Sequence, residues 1–256
     1  MLLLWEHPLS PYAQKVKLAL REKNVAFQAR IPHGVGVGAT EDGFAAVSPR
    51  REVPALIDGD AVIFDSRIII DYIEDRHPSP PLLAREPVRR ARARMVEEAV
   101  DTQLEAINWG LTELAVFKRA SADLRARMEA RARAQISGLH AFLARELGGQ
   151  AYFAGEFFGR PDMAAISHLT GPARPHEGPL ADWLARCLQR DSVRQTLAEA
   201  EGARASLAMA EHAVRSGSFK RQYRDHRLEW MMRSGGVDIV LEGLARQTIR
   251  FSTEFS

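Results

Sequence analysis

The stretch His7–Val16, "HPLSPYAQKV", decides the fold. A short apolar run, "LLLW" at residues 2–5, enters it, and a helical pattern, "AQKVKLALREKN", leaves it. Ser10 followed by Pro11 is an N-cap and first-turn pair, so a helix starts there at the end of a strand. The core "SPYA" reads like the redox dithiol motif Cys-Pro-Tyr-Cys with a hydroxyl and a methyl in place of both sulfurs. Disulfide exchange is therefore closed to this turn, while a hydroxyl at a helix start remains.

Working outward, "VAFQARI" reads as a second strand, and a Gly-rich loop leads to a weak helical turn around Phe44–Val47. "VPALIDGDAVIF" reads as a β-hairpin, because Asp58-Gly59 is a tight-turn signal between alternating runs. "DSRIIIDYIEDRH" closes the block as a helix capped by Asp or Ser. The order β-α-β-(α)-β-β-α over residues 1–77 predicts a parallel pair extended by an antiparallel hairpin. The proline-dense "PSPPLLAREP", residues 78–87, reads as a linker. Residues 88–202 are helical in pattern, with helices predicted at 87–118, 121–147, 161–170, 179–189 and 192–213. Residues 203–256 form an extension with at least one more helix.

Composition narrows the function classes. The 256 residues are 46% apolar and 27% charged, which suits a globular protein with a sizeable core. A formal net charge of +2 gives no global field for nucleic acid, and the Arg-rich "REPVRRARARM" alternates with apolar positions as a solvated helix face does. Cys187 is the single cysteine, so neither an intramolecular disulfide nor a cysteine zinc site is available, and the eight histidines lack metal-ligand spacing. "MLLLW" is short for a signal peptide, and no run reaches the roughly 20 apolar residues of a membrane span. A cytoplasmic protein without a nucleic-acid or membrane partner is expected.

Four motifs in order, "SPYAQKV", "REVPAL", "FDSRIIIDYIED" and "YFAGEFFGRPDMAAISHL", are similar to those of the cytosolic glutathione transferase family, and the resemblance covers about residues 1–200. It implies an α+β thioredoxin-like N-terminal domain with a mixed four-stranded sheet, followed by an all-α helical bundle. The chain resembles a bacterial, serine-type member carrying a C-terminal extension. Glutathione is the implied co-substrate. Ser10 would donate to its sulfur, and the helix N-terminus would favour a thiolate whose free pKa is roughly 8.5. Tyr12 is the rival donor. The Val53-Pro54 bond is implied to be cis, offering the Val53 backbone to the ligand's cysteinyl backbone. Asp65 would accept the γ-glutamyl ammonium, and Ser66 with its helix N-terminus would receive the carboxylate.

Two positions depart from the family pattern. Glu52 stands where Lys, Gln or Arg is usual, and its charge would repel the glycyl carboxylate unless Arg50, Arg51 or His33 compensates. Gly159 stands where Ser or Thr is usual, so only Asp162 of that capping box is present. Gly34, Gly36 and Ala39 fit a G-x-G-x-x-A dinucleotide fingerprint, but the turn-like "TEDG" follows instead of a helix, so a mobile loop over the glutathione site is expected there. Leu9, Tyr12, Asn108, Trp109, Thr112 and Phe117 are candidates for the acceptor pocket, with Trp230, Met231 and Met232 packing on the body or roofing it. The resemblance implies a homodimeric detoxification enzyme in which glutathione attacks a small, mostly apolar electrophile by conjugation, ether cleavage or isomerisation. Glu52 and the long tail motivate the alternative of a non-catalytic binding or interaction protein on the same fold.

Overall fold

The computed structural model describes residues 1–33 and 43–251; the loop reading at Gly34, Gly36 and Ala39 lies outside them. Strands β1 (Leu2–Trp5), β2 (Phe27–Arg30), β3 (Ala55–Asp58) and β4 (Ala61–Phe64) form one sheet in the order β2-β1-β3-β4. β1 and β2 run parallel, and β3 and β4 are antiparallel to their neighbours, as the strand order in the sequence predicts. Helices α1 (Pro11–Glu22), α2 (Phe44–Val47) and α3 (Ser66–Arg76) complete this domain. An α-helical remainder follows: α4 (Pro87–Ala99), α5 (Glu105–Ala115), α6 (Ala122–Leu147), α7 (Arg160–Leu169), α8 (Gly178–Cys187), α9 (Asp191–Ala203) and α10 (Ser206–Arg215). The tail adds β5 (Arg221–Gln222), α11 (Asp225–Arg233), α12 (Val237–Ala245) and β6 (Ile249–Arg250), with β5 and β6 paired in parallel.

Helix α1 is the hinge of the architecture, because it is covered on all sides. Every residue from Ala13 to Leu20 is buried, Lys15 and Lys17 included. An ammonium taken out of water must meet carboxylates. Lys15 therefore meets Glu97 of α4 at 2.8 Å and also Asp101, while Lys17 meets Glu6 at 3.0 Å and Glu199 of α9 at 2.9 Å. These pairs bolt the sheet domain to the bundle alongside the shared apolar core of Val16, Leu20, Ile70, Met163 and Ile166.

Three expectations are corrected. The single helix expected over 87–118 contains a π-helical segment at Val100–Leu104 between α4 and α5 and ends at Ala115. One extra residue per turn re-aims a side chain without ending the helix, and here the re-aimed stretch carries Asp101 against Lys15. The helix expected over 192–213 is two helices, α9 and α10. The missing half of the capping box has a steric reason rather than being a simple weakness. A Cβ on Gly159 would lie 2.6 Å from both the Ala154 Cβ and the Leu82 carbonyl oxygen. Asp162 compensates by accepting from the backbone N–H groups of Phe153, Ala154 and Gly159 and from the Trp183 indole at 2.8 Å. Burial nevertheless pushes its carboxyl up to about 6.

The tail has a core of its own. Tyr223, Trp230, Met231, Ile239, Val240 and Ile249 pack on Ile107, Trp109, Met128 and Ala132 of α5 and α6. Among the described residues no helix is long and apolar enough to cross a membrane.

Candidate functional site

Two cavities meet at Val53. A polar cleft of about 160 Å³ is lined by Val53, Pro54, Asp65, Ser66, Arg67 and Glu98 among others. A larger chamber of about 860 Å³ holds Ser10 on its wall. Tyr12, Glu52, Val53 and Arg224 line both, so the two form one site with a polar end and an apolar end.

The polar end is built by a turn and a helix start. The Val53-Pro54 bond is cis, and the β3 ladder begins only at Ala55, which leaves Val53 at the cavity wall. Asp65 sits at φ 76°, a left-handed conformation that a non-glycine residue adopts only under constraint from its surroundings. It caps α3 by accepting from the Arg67 N–H at 3.0 Å, and Arg50 stands 3.8 Å from its other oxygen. Ser66 is buried as the first residue of α3. A helix N-terminus with these groups can take a carboxylate, and Asp65 can take an ammonium.

Ser10 caps α1: its Oγ accepts from the Ala13 N–H at 3.3 Å. Accepting that bond leaves the hydroxyl proton free to donate into the chamber. The Tyr12 hydroxyl is committed elsewhere, donating to the Asp101 carbonyl at 2.7 Å, and burial raises its pKa well above the usual phenol range. Leu9, Asn108, Trp109, Thr112 and Phe117 all line the same chamber. His33 is exposed and is not among the described residues lining either cavity.

Glu52 is answered by the tail. The Arg224 guanidinium stands 3.9 Å from its carboxylate, and Arg250 donates to the neighbouring Arg51 carbonyl at 3.4 Å. His226 places Nε2 3.0 Å from Glu105 and 3.4 Å from the Tyr12 hydroxyl, and its Nδ1 3.0 Å from Asp225. Burial would raise the Glu105 carboxyl, but Arg227 and His226 bring it down to about 2. His7 is a further chamber residue without a sequence signal. Its Nδ1 accepts from the Leu9 N–H at 3.2 Å, and burial, aided by Lys17, lowers its pKa and favours the neutral ring.

The glutathione S-transferase N-terminal domain family matches residues 4–81. Residues 4–81 thus resemble a glutathione S-transferase N-terminal domain, and the fold as a whole is similar to that of solved glutathione S-transferases. Glutathione S-transferase U22 of Arabidopsis thaliana is 27% identical over 213 residues, covering 75% of this chain and 88% of that protein. A stringent starvation protein A homolog of Coxiella burnetii is 36% identical over 93 residues, which is 36% of this chain and only 43% of that relative's length. Among solved structures, a glutathione S-transferase of Methylobacterium radiotolerans in complex with glutathione sulfonate is 26% identical at a TM-score of 0.61, covering 76% of this chain and 93% of that one.

Apart from His7, the site residues that sequence reasoning missed lie in the tail or in the π segment. Asp101 carried one usable signal: an acidic residue midway along an otherwise apolar helical stripe needs a partner. Arg224, Arg227 and His226 carried none, because their partners lie more than a hundred residues upstream.

Proposed function

We propose that this protein is a glutathione transferase in which the polar cleft holds the tripeptide and Ser10 stabilises its thiolate. The carrying observation is the hydroxyl of Ser10 on the chamber wall, its proton unspent, beside a Tyr12 whose proton is spent on Asp101. Asp65 and Ser66 would bind the γ-glutamyl end, Val53 and Pro54 the cysteinyl backbone, and Arg224 would offset Glu52 near the glycyl end. The thiolate would then attack an electrophile held among Leu9, Tyr12, Asn108, Trp109, Thr112 and Phe117. Positioning and thiolate stabilisation supply the rate enhancement. Assignment of residues 1–77 to glutathione and of residues 88–202, with the 203–256 extension, to the acceptor belongs to the same proposal, as does homodimerisation.

The test is twofold. Millimolar glutathione should raise the melting temperature, and Ser10→Ala should raise the pKa of bound glutathione, read from thiolate absorbance near about 240 nm, while conjugation slows by roughly tenfold or more. A second reading, a non-catalytic interaction protein, is favoured by Asp225 and His226 of the tail lining the glutathione cleft and by the likeness to a stringent starvation protein A homolog. No melting shift and no effect of Ser10→Ala would decide for that reading.

A further inference from the structure

The chamber beside Ser10 is apolar in its floor and cationic in one wall. Leu9, Trp109, Phe117, Leu188 and Leu197 supply the apolar surface. Arg221, Arg224, Arg227 and Arg250 enter from the tail, and Arg174, Arg204 and Lys220 stand elsewhere on the wall. Several of these charges are already answered. Arg221 meets Glu113 at 2.5 Å, Arg227 meets Glu105 at 2.5 Å, and Arg204 meets Glu201 at 2.6 Å. Arg224 has Glu52 at 3.9 Å.

Arg174 and Lys220 have no ion pair among the described residues, and Arg250 differs from all of these in holding a buried donor without a partner. Its guanidinium is half-buried, and no carboxylate among the described residues lies within ion-pair distance of it. The Nε–H is buried without a hydrogen-bond partner, and Nη2 has only the long contact to the Arg51 carbonyl at 3.4 Å. Burial depresses its pKa, Arg51 and Arg227 press like charge on it, and Glu52 opposes them. A guanidinium presents five donors in a planar fork suited to a carboxylate or sulfonate, and an unmatched buried donor costs stability until an acceptor arrives. The ligand that matches this wall has an apolar body and an anionic head.

We propose that the acceptor substrate carries an anionic group, a carboxylate or sulfonate on an apolar or aromatic body, and that Arg250 is its specificity-determining contact. The acceptor role rests on the transferase reading, whereas the anion site itself does not. Glutathione's own carboxylates are not the intended ligand, since Arg250 lines the chamber and not the cleft of Asp65 and Ser66. The tail thereby acts as a selectivity element: it sets Arg250 beside Arg51 of the body on the chamber wall.

Two fluorescent probes of similar shape test this without glutathione: anionic 8-anilinonaphthalene-1-sulfonate and neutral N-phenyl-1-naphthylamine. The wild-type protein should bind the anionic probe about tenfold more tightly or better, as a charge-assisted contact requires. Arg250→Gln should reduce that ratio to within about threefold, and Arg250→Lys should retain most of it. Equal affinities in the wild type, or an unchanged ratio in Arg250→Gln, overturn the proposal. If Arg250→Gln is unfolded by circular dichroism, the salt dependence of the wild-type ratio decides. A fall of about threefold between roughly 20 and 300 mM NaCl supports the charge contact, and a constant ratio refutes it. Failure of glutathione to raise the melting temperature would remove the transferase reading while leaving the probe ratio to decide the anion site.

Discussion

Gly110, in the interior of α5, should be one of the least tolerant positions in the protein. A Cβ there would lie 2.0, 2.4 and 2.8 Å from Cζ3, Cε3 and Cη2 of Trp230 on α11. Carbon–carbon contacts settle at about 3.5–4.0 Å, so Gly110→Ala demands a displacement of roughly 1.5 Å. The indole cannot swing aside freely: its N–H donates to Gln135 Oε1 at 2.7 Å, and the ring is buried in the tail core. Overpacking of this kind costs about 1–3 kcal/mol, and the clash stands at the upper end or beyond it. Replacing Gly by Ala inside a helix returns about 1 kcal/mol, so the net loss is about 2 kcal/mol. For a chain of this size that lowers Tm by about 4–8 °C. Because Trp230 anchors α11, the same change should loosen Arg224 and His226 from the site. Circular dichroism melts would read the first effect, and trypsin cleavage around Lys220 and Arg221 the second. A variant as stable as the parent, with the tail equally protected, would show that helix propensity outweighs the clash and that α11 does not pack as described.

Other perturbations bear on separate parts of the molecule. Since the Glu105 carboxyl is held at about 2, below its ordinary 4.5, its contribution is fully present above pH 4.5 and is lost as pH falls toward 2. That shift corresponds to about 3 kcal/mol. Urea unfolding between about pH 5 and 2.5 should show this loss in the wild type and much less of it in Glu105→Gln; parallel curves would refute it. Lys15→Met leaves Glu97 and Asp101 buried without their ammonium and should cost about 3–5 kcal/mol in chemical denaturation, whereas a cost under about 1 kcal/mol would deny the pair its structural role. Glu52→Gln should tighten glutathione binding by calorimetry, roughly threefold to tenfold, by removing a repulsion of about 0.7–1.4 kcal/mol, and weaker binding would contradict the assigned charge conflict.

Local chemistry made much of this fold legible from sequence. Asp58-Gly59 announces the β3-β4 hairpin, and Gly59 does take a positive φ of 59°. Ser10-Pro11 announces the start of α1, and Ser10 caps it. Those signals act over two to four residues, and nothing distant overrides them. The π segment was hidden because an inserted residue preserves the apolar stripe on both sides of Val100–Leu104. The strand pair of the tail was hidden for another reason. β5 and β6 hold two residues each, too few for any alternation to show, and are paired across the whole of α11 and α12. The local sequence offers His33, Arg50 and Arg51 as compensation for Glu52, whereas the geometry sets Arg224 against it, a partner that spacing cannot reveal.

Arg224 and Arg250 also set an order of events during synthesis. A ribosome building this chain has made the sheet, Ser10, Val53 and α5 well before it makes the residues that wall the chamber. Tyr12 waits for His226 across 214 positions and Arg51 for Arg250 across 199. Until Arg224 has been made, Glu52 lacks its partner from the tail. A product cut short before Arg224 would keep the sheet and lose the wall.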